Sequence, residues 1–179
     1  MLVARLGPGE TLGDRVMKVD HAGEHGAICI YRAQRWFARF RAPEMVAEID
    51  SFLEHERRHR AVFGAELERR GRRRCRSFLF CGLGGFMLGA VTGLAGRQAI
   101  AATTVAIESV VLRHMREQIA TLSAIDHAAA AALESVISDE EQHHDLSADR
   151  AGAASRWLIV IRPIVSASTE AVIWLGMRL

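Results

Sequence analysis

One arrangement occurs twice along this chain. A lone glutamate in an apolar stretch is followed, 32 residues on, by Glu-x-x-His: Glu24 precedes Glu56 and His59, and Glu108 precedes Glu140 and His143 at the same spacing. On an α-helix, residues three apart lie on one face, roughly 60° from each other, so a carboxylate and an imidazole so placed can grip one ion. The helix-spaced neighbours are apolar: Ile49, Phe52, Leu53 and Phe63 around Glu56, Val105, Val111 and Leu112 around Glu108, and Leu133, Val136 and Ile137 around Glu140. A carboxylate on such a stripe needs partners. Two helix pairs, each contributing Glu and Glu-x-x-His, make the di-metal carboxylate site of a four-helix bundle. Two divalent cations neutralise four carboxylates, which allows the cluster to sit in an apolar core.

The rest of the pattern agrees with an all-α chain. No segment alternates as a strand would. Six helices are expected: about Gly13–Phe40, a second starting near Pro43 and ending near the arginine cluster, Phe78–Ala95, Arg97–Leu122, a fifth capped by Asp126 and ending near Arg150, and Arg156–Met177. With 179 residues, half of them hydrophobic, the chain supports a single domain over 1–179, with residues 1–13 a flexible N-terminus. Gly23 and Gly26 flank Glu24, and each helical glycine costs roughly 1 kcal/mol relative to alanine. Their expected purpose is to leave room for metal, oxygen or substrate.

Ser77–Gly96 carries no charge over 20 residues, and its Gly85, Gly89 and Gly93 fall four apart. That spacing lets two helices approach closely. Just before it lies the arginine-dense run ERRGRRRCR. Together they suggest an interfacial anchor, with arginines on anionic headgroups and an apolar helix dipping into lipid. The apolar closing helix can share that role. The net charge of +2 gives no footprint for nucleic acid. Three cysteines, Cys29, Cys75 and Cys81, fit neither a zinc motif nor a closed disulfide framework, and the N-terminus lacks the apolar core of a secretory signal. The expected location is bacterial cytoplasm, attached peripherally to the inner face of the cytoplasmic membrane.

Oxygen-rich ligation with two imidazoles suits iron or manganese better than zinc or copper. Glu141 with His144 offers an alternative Glu-x-x-His register, but the 32-residue repeat selects Glu140 and His143. His114 is a candidate support for the ligands. His21, His25 and His55 fit a polar face.

VDHAGEHGA, Glu56-x-x-His59, TTVAIE, DEEQHHD and the glycine-rich GFMLGAVTGLAG resemble the di-iron 5-demethoxyubiquinone hydroxylases of ubiquinone biosynthesis, a ferritin-like family, over about Arg15–Leu179. The resemblance implies a ferritin-like four-helix bundle with two additional apolar helices. It also implies a monooxygenase that inserts one oxygen atom of O₂ into a polyprenylated demethoxyquinone ring and releases the other as water. Two iron ions are then the cofactors, and two electrons come from NADH or a reductase chain. Carried over, the catalytic metal ligands are Glu24, Glu56, His59, Glu108, Glu140 and His143, with Glu56 and Glu140 bridging. Implied partners are the quinone substrate, the membrane surface, and a ubiquinone-biosynthesis complex or a second copy of the chain. Two positions depart from the family pattern: His25 and Met115 stand where tyrosine is common. The alternatives are another ferritin-like di-iron oxidase or hydroxylase, and a non-catalytic iron-binding or scaffold protein at the membrane.

Overall fold

The computed structural model describes residues 3–152 and 156–179, which form seven α-helices and no strand. They are α1 (Leu12–Arg41), α2 (Val46–Arg69), α3 (Phe78–Ala95), α4 (Arg97–Leu122), α5 (His127–Glu134), α6 (Ile137–Ala151) and α7 (Arg156–Gly176). Helices α1, α2, α4 and α6 form a ferritin-like four-helix bundle: α1 packs on α2 and α4 on α6. The two additional apolar helices lie outside it, α3 along α1 and α7 along α4.

Local chemistry sets the boundaries. Thr11 and Asp14 form a reciprocal capping box at the start of α1, worth about 1 kcal/mol. Pro43 opens a single 3-10 turn ahead of α2, where its missing N–H costs nothing. Gly96 separates α3 from α4 at φ +94° and ψ −169°, a backbone conformation that suits only glycine. Asp126 caps α5 by accepting from the Ala129 N–H. Its carboxylate also takes a two-pronged bond from Arg70, which ties the end of α2 to that cap.

The expected fifth helix is two helices. At Ser135–Val136 the chain tightens: Val136 N–H donates to the Leu133 carbonyl, and Ser135 Oγ donates to the Ala132 carbonyl. A serine hydroxyl that competes for helix carbonyls weakens the continuous ladder. Leu133 and Val136 are both buried at the bend, so the break keeps them in the core while α6 takes its own direction.

Two hydrophobic clusters bracket the middle of the bundle. One contains Met17, Phe63, Leu122 and Leu133; the other contains Ile28, Ile49, Phe52 and Ile100. Each such side chain contributes about 1.5–3 kcal/mol on burial, and the polar site lies between them. The apolar helices attach by different means. Helix α3 approaches α1 backbone to backbone: a methyl at Gly85 or Gly89 would collide with the carbonyl oxygens of Gly26 and Ile30. Helix α7 packs Ile161 and Val165 against Ala99, Ala102 and Ala106 of α4. Its C-terminal end is held by Arg15, which donates to the Gly176 carbonyl, and by the Arg5 N–H, which donates to the Met177 carbonyl.

Candidate metal centre

Four helices bring six side chains to one place. Glu24 comes from α1, Glu56 and His59 from α2, Glu108 from α4, and Glu140 and His143 from α6; all six are buried. They form two overlapping groups with donor atoms within 4.8 Å of one another: Glu24, Glu56, His59 and Glu140, then Glu56, Glu108, Glu140 and His143. Glu56 and Glu140 belong to both.

His59 Nδ1 lies 2.9 Å from Glu140 Oε1, and His143 Nδ1 lies 3.3 Å from Glu56 Oε1 and 3.2 Å from Glu140 Oε2. Despite these distances, Glu56 Oε1, His59 Nδ1 and His143 Nδ1 have no hydrogen-bond partner. Carboxylate oxygens and imidazole nitrogens thus converge on one shared space. Two donors about 2.1 Å from one ion at right angles stand about 3 Å apart, so the spacing fits a metal.

The outer nitrogens are supported across the bundle. His59 Nε2 lies 2.9 Å from Asp139 Oδ2, which also accepts from Arg58 at 2.7 Å. His143 Nε2 lies 3.0 Å from His55 Nδ1. The residue just before each Glu-x-x-His thus supports the histidine of the other one. Tyr31 Oη donates to Glu108 Oε1 at 3.4 Å. Sequence reasoning missed Asp139 and Tyr31 and placed His55 on a polar face. The available signals were the position of Asp139 beside Glu140 and that of Tyr31, seven residues from Glu24 on the same helix face.

The charges are unbalanced without cations. Burial, reinforced by the neighbouring carboxylates, pushes Glu24, Glu56 and Glu108 well above the ordinary carboxylate range. Glu140 differs: burial pushes it up, but His143 and His59 outweigh burial and bring it down to about 2. Burial depresses His59, yet Glu140, Glu24 and Asp139 overcome that and raise it. Metal-free, the cluster therefore holds extra protons, which is the condition two divalent ions relieve.

The other candidates lie elsewhere. Glu141 pairs with Arg116 and His144 with Asp145 on the surface, so the alternative register points away from the cluster. His114 faces α7, its Nε2 2.9 Å from Glu170 Oε2, and touches none of the six through that nitrogen. His21 and His25 stack on Phe78 at centroid distances of 5.3 and 3.9 Å, so they are half-buried rather than on a solvated face. The two glycines divide the work expected of them. Gly23 has open space where a side chain would stand, whereas a methyl on Gly26 would press on the Cys81 carbonyl at 3.2 Å.

The family model described as "Ubiquinone biosynthesis protein COQ7" matches residues 11–176. The chain belongs to this family. A Homo sapiens relative, "NADPH-dependent 3-demethoxyubiquinone 3-hydroxylase, mitochondrial", is 32% identical over 170 residues, covering 93% of this chain and 77% of the relative. The "3-demethoxyubiquinol 3-hydroxylase" of Rhodospirillum rubrum is 29% identical over 165 residues, 92% of this chain and 77% of the relative. The "5-demethoxyubiquinone hydroxylase, mitochondrial" of Saccharomyces cerevisiae is 34% identical over 111 residues, 62% of this chain and 47% of the relative. The COQ7-family relatives of this chain are thus named as hydroxylases acting on a ubiquinone precursor.

In this COQ7-family chain a cavity of about 400 Å³ opens above the cluster. Glu24, Glu56, Glu108 and Glu140 line it together with apolar residues of α1, α3, α4 and α7, including Ala27, Leu88, Ile107 and Ile164. The outer faces of its two flanking helices are apolar: Leu79 is 66% and Leu83 64% exposed on α3, and Ile159 is 75% and Val160 55% exposed on α7. Both helices are long and apolar enough to cross a membrane by length and composition.

Proposed function

We propose that this chain hydroxylates the ring of a polyprenylated demethoxyquinone, using O₂ and two iron ions held by Glu24, Glu56, His59, Glu108, Glu140 and His143. The observation that carries the reading is the floor of the cavity. The four carboxylates line it, the unpartnered Nδ1 atoms of His59 and His143 lie 2.9–3.3 Å from Glu140 and Glu56, and above them is an apolar space between two helices with apolar outer faces. The donor set fits iron: oxygen-rich, two imidazoles, no thiolate. When bound, the iron pair supplies O₂ activation, so that a ring C–H, O₂, two electrons and two protons yield a ring C–OH and water. The electrons come from an external donor, NAD(P)H or a reductase chain; the human relative's name specifies NADPH.

The chain's own residues have distinct parts in this reading. Glu56 and Glu140, shared by both donor groups, would serve both metal ions. Glu24 and Glu108 would each complete one of the two positions. Asp139 and His55 hold the imidazole rings so that Nδ1 faces inward. Apolar walls exclude bulk water and accept the ring. A membrane-dissolved substrate also needs an entrance from lipid. Helices α3 and α7 offer it, with Arg73, Arg74 and Arg76 beside α3 available to anionic headgroups. In this reading the protein attaches peripherally to the inner face of a bacterial cytoplasmic membrane.

The test is a lipid extract. The chain is expressed in a bacterium blocked at the last ring hydroxylation, and quinones are profiled by mass spectrometry. Conversion of demethoxyubiquinone onward to ubiquinone supports the reading. Continued accumulation, with the protein present and iron-loaded, counts against this substrate.

A further inference from the structure

The repeat extends past the six inward-facing donors. Each donor of the second half stands 84 positions after its counterpart in the first: Glu108 after Glu24, Glu140 after Glu56, His143 after His59. The same step runs from Tyr31 to Met115. Tyr31 is the chain's single tyrosine, and it stands seven residues beyond Glu24, about two turns along the same face of α1.

The two matching positions are both buried and chemically unlike. The Tyr31 ring packs edge-on to Phe52 and His143, at centroid distances of 5.7 and 6.4 Å. Its hydroxyl donates across the bundle, from α1 to Glu108 Oε1 on α4, at 3.4 Å. Met115 lines the cavity that Glu24 also lines, and belongs to the apolar cluster of Met17 and Phe63. Its thioether has no proton to donate. The repeat therefore supplies a phenol to the lone glutamate of the second half and none to that of the first.

The consequence falls on Glu24 and Glu108. A carboxylate can turn one oxygen or both toward a metal ion. Tyr31 engages Glu108 Oε1, which leaves Oε2 for an ion. Glu24 has a methionine at the matching position and keeps both oxygens. We infer that Tyr31 is a positioning residue: it holds Glu108 to one-oxygen ligation, so that the position formed with His143 keeps a place for a small external ligand. The pairing follows the donor groups, in which Glu108 goes with His143 and Glu24 with His59. The inference rests on the two-metal reading of the cluster and adds which of the two positions is open.

The experiment reads ligand access, not turnover. Full-length protein loaded with iron is titrated with azide, a small anion that ligates where a coordination place is free, and the visible absorption is followed. Tyr31→Phe keeps the ring and removes only the hydroxyl. It is expected to retain its iron content and thermal midpoint and to bind azide at least about tenfold more weakly, as Glu108 turns its second oxygen to the metal. Adding Met115→Tyr to that variant puts a phenol at the position matching Tyr31 in the other half, and is expected to recover most of the lost affinity. The single variant decides the matter alone if the double variant does not fold. Azide affinity unchanged in Tyr31→Phe, or an iron-loaded wild type that takes no azide, overturns the inference. Loss of iron or of thermal midpoint in Tyr31→Phe assigns the phenol to structure alone and overturns it too. A wild type that holds no iron overturns the two-metal reading itself and this inference with it.

Discussion

The two Glu…Glu-x-x-His halves are alike in their inward-facing residues and unlike in what stands behind them. His59 is backed by the carboxylate of Asp139, which Arg58 also holds. His143 is backed by a second imidazole, His55, whose basicity burial depresses. A carboxylate behind a ligating imidazole raises its basicity, and a neutral imidazole does so far less. With metal bound as proposed, the repeat would therefore supply two imidazoles of different electron-donating strength. Exchange across the bundle produces the difference, since each half is supported by the residue just before the other half's glutamate.

Removing a residue common to both halves has the largest expected effect. Glu140 faces both His59 and His143, so Glu140→Ala is expected to lose iron and all hydroxylation. Metal analysis and the quinone profile check this; an active variant with two irons per chain would refute the ligand assignment. Next comes Asp139→Asn, which keeps the shape behind His59 but removes the charge. Iron affinity should fall about 10–100-fold, read by competition with a chelator. His55→Gln should cost less than about tenfold, because it replaces one neutral partner with another. Equal losses in the two variants would erase the asymmetry.

A smaller effect concerns protons. In the metal-free protein Glu24, Glu56, Glu108 and His59 have folded-state pKa values above their unfolded ones. A raised group stabilises the fold below its unfolded value, and that contribution is lost as pH rises through the folded value. His21, His25, His55 and His114 are lowered from 6.5, so their contribution is lost only as pH falls below about 6.5 and stays constant above it. Raising the pH from 6.5 to about 8.5 reads the raised groups, with Asp20, raised to about 7 by burial, adding a smaller loss common to the metal-free and iron-loaded protein. The metal-free protein should lose several degrees of thermal midpoint over that range and the iron-loaded protein much less. A metal-free midpoint that stays level would show that the cluster does not hold the extra protons.

Much of the fold was legible because helical periodicity and punctuation are local. Gly96 marked the α3–α4 boundary, Asp126 marked the α5 cap, and Gly85 and Gly89 announced a close helix contact. The break at Ser135 was not legible: alanine-rich sequence on one side and apolar spacing on the other both read as continuous helix. The six inward residues stood out because carboxylates on apolar stripes are expensive and were repeated at one spacing. His55 and Asp139 did not, since single polar residues on α2 and α6 look like solvated surface until the helices meet.

By itself the sequence determined most of the helix boundaries and the apolar character of α3 and α7, because each follows from neighbours a few residues apart, and it singled out the six inward-facing residues through their repeat at 32 residues. Tertiary structure alone decided which half supports which histidine, that Gly26 makes room for α3 while Gly23 opens toward the cavity, and that Gln118 of α4 reaches Asp20 of α1. Those facts depend on how separate helices rotate and approach, which the core clusters on either side of the site settle and no local pattern encodes.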